Sequence, residues 1–175
     1  GHVAFRLAQK RPDLIRKLVL AEPGGALDET LLTELGVSAP PSASSRAFVT
    51  QASEKIAAGD LEGGLRTYIE AVNGAGSWER LAATERQMRQ DNAYTLLAQV
   101  NEGRQPYSKA DADSLNLPTL FVIGANNPGR LPLISKALAL HVSGSQTVII
   151  PEATHAMVRD QPAAFCDAVL KVLVE

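Results

Sequence analysis

Disulfide chemistry is missing from this chain, because a single cysteine, Cys166, cannot form an internal bridge. That fits a reducing compartment, and a cytoplasmic location is the expectation. Charge of one sign is missing too: 17 Lys and Arg stand against 19 Asp and Glu, a formal net charge of -2. Without a basic field nothing holds a polyphosphate, so nucleic acid is excluded as a partner and a membrane surface gains no support. No apolar run approaches the roughly 20 residues that span a bilayer, and no signal sequence opens the chain. Low-complexity segments and internal repeats are also lacking. What is present is ordinary for a soluble globular protein, with 45% apolar and 21% charged residues in a length of 175, enough for one core. The chain opens on Gly1 and His2, and the next residues already read as the middle of an element, so part of a longer protein is expected.

Residues 2–11 (HVAFRLAQKR) place Val3, Leu7 and Ala8 on one helical face, with Pro12 as punctuation. LVLA, residues 18–21, closed by Glu22, Pro23 and two glycines, reads as a buried parallel strand. Between residues 28 and 101 the pattern turns helical, with Ser45, Asp60 and Ser77 as candidate caps. A polar stretch, 101–116, leads to LPTLFVIGANNPG, a second buried strand broken by glycine and proline. A helix over 133–141, a strand over 146–150, the loop PEATHAM and a helix over 161–174 complete the chain. On that last helix Phe165, Val169, Leu170 and Leu173 share a side, and Cys166 is expected in its core. Strands alternating with helices imply an α/β fold with a mostly parallel sheet of three strands. Ligands then sit at the carboxyl ends of the strands.

Those ends offer Glu22, the pair Asn126 and Asn127, and His155. A histidine on a strand-end loop suits proton transfer, because the side chain titrates near neutrality. It needs an anionic partner to choose its tautomer and stabilise the imidazolium, and Glu22 on a neighbouring strand end is the candidate. His2 and His141 read as structural, His141 because a cation at a helix end complements the dipole. Trp78, Met88, Tyr94 and Met157 are candidates to line an apolar substrate pocket, with core packing as the alternative. Residues 124–129 lack GxGxxG spacing, which argues against a nucleotide.

GHVAFRLAQKRPDLIRKLVLAEP resembles the segment after the nucleophile elbow of the α/β-hydrolase superfamily, where GxSxG opens a helix that leads to a strand ending in a polar residue and proline. LPTLFVIGANNP is similar to that family's penultimate strand, and IIPEATHAMVRDQPAAFCDAVLKVL to its last strand, histidine loop and final helix. The resemblance implies a partial α/β-hydrolase fold, with a core of residues 1–27 and 115–175 and a helical lid inserted at 28–114. It implies His155 as the catalytic histidine. Many members carry the acid where this chain has Asn127, which cannot be an anion. The other position used in the superfamily, as in haloalkane dehalogenases with a glutamate there, falls on Glu22. Asn126 and Asn127 are then polar supports beside the small-molecule substrate, with Met157 and Trp78 as further candidate substrate contacts. The nucleophile and the oxyanion loop belong upstream of Gly1. The resemblance implies hydrolysis of an ester, lactone or similar acyl compound with no metal or organic cofactor. An elbow aspartate would instead imply an alkyl-enzyme intermediate. A non-catalytic binding protein and an inactive fragment are the remaining readings, and the sequence is silent on oligomeric state.

Overall fold

The computed structural model describes residues 1–37 and 47–174. In chain order the elements are α1 (His2–Lys10), β1 (Leu18–Ala21), α2 (Glu29–Glu34), α3 (Ala47–Ala57), α4 (Leu61–Asn73), α5 (Ala83–Asp91), α6 (Thr95–Gln99), α7 (Lys109–Asp113), β2 (Thr119–Gly124), α8 (Leu131–His141), β3 (Gln146–Ile150), α9 (Met157–Asp160) and α10 (Pro162–Val174). The chain divides into two compact units, one of Gly1–Ser38 with Gln105–Glu175 and one of Ala39–Arg104. The helical unit is therefore narrower than the 28–114 expected, because α2 and α7 belong with the sheet.

The first unit is built on a parallel sheet of order β1-β2-β3. All six residues of the central strand, β2, are buried, and that strand carries a continuous apolar run because both of its faces are covered. Leu18, Leu20 and Phe121 point to one face, where they pack with Phe5, Ala8, Tyr107, Ile134 and Leu138. Leu120, Val122 and Ile150 point to the other, with Ala153, Met157 and Val172. This alternation is the two-residue period of a strand. The entry and exit of the segment between β1 and β2 lie side by side at a parallel bridge from Leu27 to Tyr107. Arg6 pins the returning chain by donating to the carbonyls of Gln105 and Pro106 and pairing with Asp111 at 2.8 Å.

Two helices face differently from the sequence reading. On α1 the buried residues are Phe5 and Ala8, whereas Val3 is 76% and Leu7 44% exposed. The aromatic contact decides, since Phe5 packs edge-on against the fully buried Tyr107. On α10 the buried side runs through Ala164, Phe165, Ala168 and Val172, so Leu170 and Leu173 are exposed, and so is Cys166. Small residues at i, i+4 and i+8 let this helix lie close to the sheet, and the larger leucines point away.

The helical unit has its own core of Ile56, Leu65, Ile69, Trp78, Leu81, Ala93 and Leu96. Asp60 caps α4 by accepting from Gly63 N, as its sequence position suggests. Ser77 caps nothing; it is buried and donates to the carbonyl of Ile69, and the next helix starts only at Ala83. Ser45 lies outside the described residues. The polar stretch before β2 holds α7, whose Ser108 and Asp111 form a reciprocal capping box that the spacing SKAD already contained.

Candidate active site

The strand at β1 ends by force of backbone geometry. Glu22 still pairs with β2, its N–H donating to Val122 O, but it adopts φ 45, left-handed for a residue with a side chain. Such a conformation costs on the order of 1–3 kcal/mol and is concentrated at functional positions. The Glu22 side chain is 0% exposed, and three donors meet it. Gly124 N, at the end of β2, donates to Oε1 at 2.9 Å. Asn127 Nδ2, on the loop after β2, donates to Oε2 at 2.5 Å. His155 Nδ1, on the loop after β3, lies 2.9 Å from the same Oε2. All three strand ends thus converge on one carboxylate, across 133 residues of chain between Glu22 and His155.

His155 is held by its own loop. Asp160, at the end of α9, accepts from Thr154 N at 2.9 Å and from Thr154 Oγ1 at 2.5 Å, and that hydroxyl accepts from Ala156 N. The loop is fastened to the loop after β2 as well, because Ala125 N donates to Ile150 O and Asn126 N to Ala153 O. The His155 side chain is 34% exposed. In the neutral ring an Nδ1–H directed at Glu22 leaves Nε2 as the acceptor, the pattern a general base requires. Asp160 was missed in the sequence; the signal lay in a threonine before the histidine with a carboxylate six residues on.

The other candidates fall elsewhere. Met157 is 1% exposed and packs under the sheet with Leu120, Val122 and Val172, so it is core and not a pocket wall. Trp78 is fully buried in the core of the helical unit with Nε1 donating to Glu62, so it too serves packing. Met88 and Tyr94 are exposed on that unit. Asn126 is exposed, while Asn127 spends its amide on Glu22 and its Oδ1 on Gly129 N. His141 binds Glu34 through Nε2 and Lys109 through Nδ1, tying α8 to α2 and α7. A depression of about 610 Å³ lined by Leu14, Ile15, Arg16, Lys17, Leu173 and Val174 lies at the amino end of β1, the wrong end of a parallel strand for a ligand. Among the described residues no cluster of His, Cys, Asp and Glu could hold a metal ion, and no helix is long and apolar enough to cross a membrane.

No family model matches the sequence, and no curated protein matches it. Solved structures do match. An α/β hydrolase enzyme, MGS-M2, from a Medee basin deep-sea metagenome library is 16% identical with a TM-score of 0.67, over 99% of this chain and 62% of its own. This chain has part of the α/β-hydrolase fold. The carboxylesterase CesB (YbfK) from Bacillus subtilis matches over 97% of this hydrolase-fold chain and 55% of its own, at 16% identity and a TM-score of 0.70. The enol-lactonase from Burkholderia xenovorans LB400 matches over 98% and 61%, at 16% identity and 0.67. The chain therefore spans between about half and two thirds of the length of these hydrolase-fold proteins.

Proposed function

We propose that this chain supplies the histidine and the acid of a hydrolase acting on an ester, lactone or similar small acyl substrate. The observation that carries the reading is the 2.9 Å bond from His155 Nδ1 to a wholly buried Glu22. Three donors offset the cost of taking that carboxylate out of water, and one of them is a histidine whose ring stays part-exposed. In the proposed reaction a hydroxyl nucleophile supplied by the rest of the enzyme loses its proton to His155 Nε2 as its oxygen attacks the acyl carbon. Glu22 steadies the imidazolium, and the proton passes to the departing alkoxide. Water, deprotonated by the same nitrogen, then releases the acid and restores the nucleophile. Two neighbours in fold, one a carboxylesterase and one an enol-lactonase, support the acyl class.

A second reading rests on the acid's position. Glu22 follows β1, the place that dehalogenases with a glutamate use, and an aspartate nucleophile would then give an alkyl-enzyme that His155 hydrolyses through water. One assay separates the two. The complete enzyme is incubated with p-nitrophenyl acetate and a fluorophosphonate probe. Under the acyl reading His155→Ala lowers kcat by about 10²–10⁴, Glu22→Gln by up to about 10⁴, and both slow labelling. Turnover of a haloalkane or epoxide without labelling selects the second reading. Near-normal kcat in Glu22→Gln removes Glu22 from the mechanism.

A further inference from the structure

Among the side chains near His155, Asn127 bonds directly to the acid. Its two ends are assigned by their partners. Oδ1 accepts from Gly129 N at 2.9 Å, inside its own turn, and this directs Nδ2 toward Glu22 Oε2, 2.5 Å away. The turn itself is closed by Asn127 N donating to Gly124 O. A carboxylate anchored by one donor can still rotate about its last bond, and Gly124 N anchors only Oε1. The second donor removes that freedom and leaves a single direction, toward His155 Nδ1, in which Oε2 accepts its remaining bond. We propose that Asn127 is a positioning residue that orients the Glu22 carboxylate for His155, and that an acid at position 22 requires a neutral donor at position 127. This rests on the His155–Glu22 pairing proposed above.

Electrostatics argue the same way. An aspartate at position 127 would keep the acceptor for Gly129 N yet bring a second anion to within hydrogen-bond distance of Glu22, and two carboxylates that close cannot both ionise freely. The amide is thus the side chain that fills this gap without adding charge.

The test is nitrogen-15 NMR of the His155 ring in this 175-residue chain, with the signals of His2 and His141 assigned by substitution. In the parent chain, above the ring's titration, the Nδ1–H tautomer is expected to dominate. Asn127→Leu, alike in branching and without a donor, is expected to make it the minor form. An unchanged tautomer in the leucine variant overturns the positioning role. Glu22→Leu separates the two levels. If it shifts the ring while Asn127→Leu does not, the pairing stands and only the role of Asn127 is lost; if it shifts nothing, the pairing itself is wrong.

Discussion

A methyl group added at Gly124 would come within 2.6 Å of the carbonyl oxygen of Ala153 and would clash with that of Thr154. Both atoms are backbone, so relief means moving the loop that carries His155. The same residue donates its N–H to Glu22, which couples the close approach to the site. Gly124→Ala is therefore expected to destabilise by about 1–3 kcal/mol and to weaken the His155–Glu22 bond. Urea unfolding measures the first effect and the ring tautomer the second; a variant with parent stability and tautomer would refute the steric argument. At this scale the sequence was informative about which groups matter and poor about what they touch. Glu22 and His155 stood out by type and by position at strand ends. Asn127 was legible as a polar neighbour, but its allegiance to the carboxylate depended on a turn closed through Gly124 and Gly129. For Met157 and Trp78 the sequence left pocket lining and core packing open, because a large side chain carries no sign of which way it points; both are buried.

Helix α7 shows how a short element of five residues is held. Asp111 accepts from Ser108 N at 2.9 Å, from Gln9 Nε2 at 3.1 Å and from Arg6 at 2.8 Å, so one carboxylate joins the cap to α1. Partial burial pushes its pKa up, but the Ser108 N–H, Gln9 and Arg6 outweigh that and bring it down to about 2. The folded value lies below the unfolded one, so the contribution to stability is complete above about pH 4 and fades as the pH falls toward 2. Asp111→Ala is expected to cost about 1–3 kcal/mol at pH 7, and the gap from the parent chain should narrow between pH 4 and 2 in chemical denaturation. A gap that stays constant through that window would place its stabilisation in something other than the charge. Elements with strong local signals were legible: β1, β3 and the Asp60 cap fall where the periodicity put them. The orientation of α1 and α10 was not, because each has apolar residues on more than one side and the partner surface chooses among them.

Across the whole chain there are two kinds of core. The sheet unit buries residues far apart in sequence, such as Phe5, Tyr107 and Phe121, whereas the helical unit packs α3 and α4 against each other with Trp78 between neighbouring segments. Gly64 permits the close crossing, since a Cβ there would meet Ile56 Cγ1 at 2.5 Å and the Ala52 carbonyl at 2.6 Å. Gly64→Val is expected to destabilise the helical unit by about 1–3 kcal/mol. The single tryptophan, fully buried in that core, provides the readout: its emission should shift to the red at lower urea than in the parent chain. An unmoved transition would mean the crossing has slack.

By itself the sequence determined the class of fold, the three strands and their parallel direction, the helical character of the segment between β1 and β2, and the two residue types capable of proton transfer, but not that β2 lies between the other two strands. These follow from local periodicity, turn residues and strand-end position, which are short-range properties. Tertiary structure alone decided that Glu22 bends into the left-handed region and that Gly124 and Asn127 fill the rest of its bonds. Each of those depends on where a distant backbone atom comes to rest once both faces of β2 are packed, and no window of sequence contains both partners.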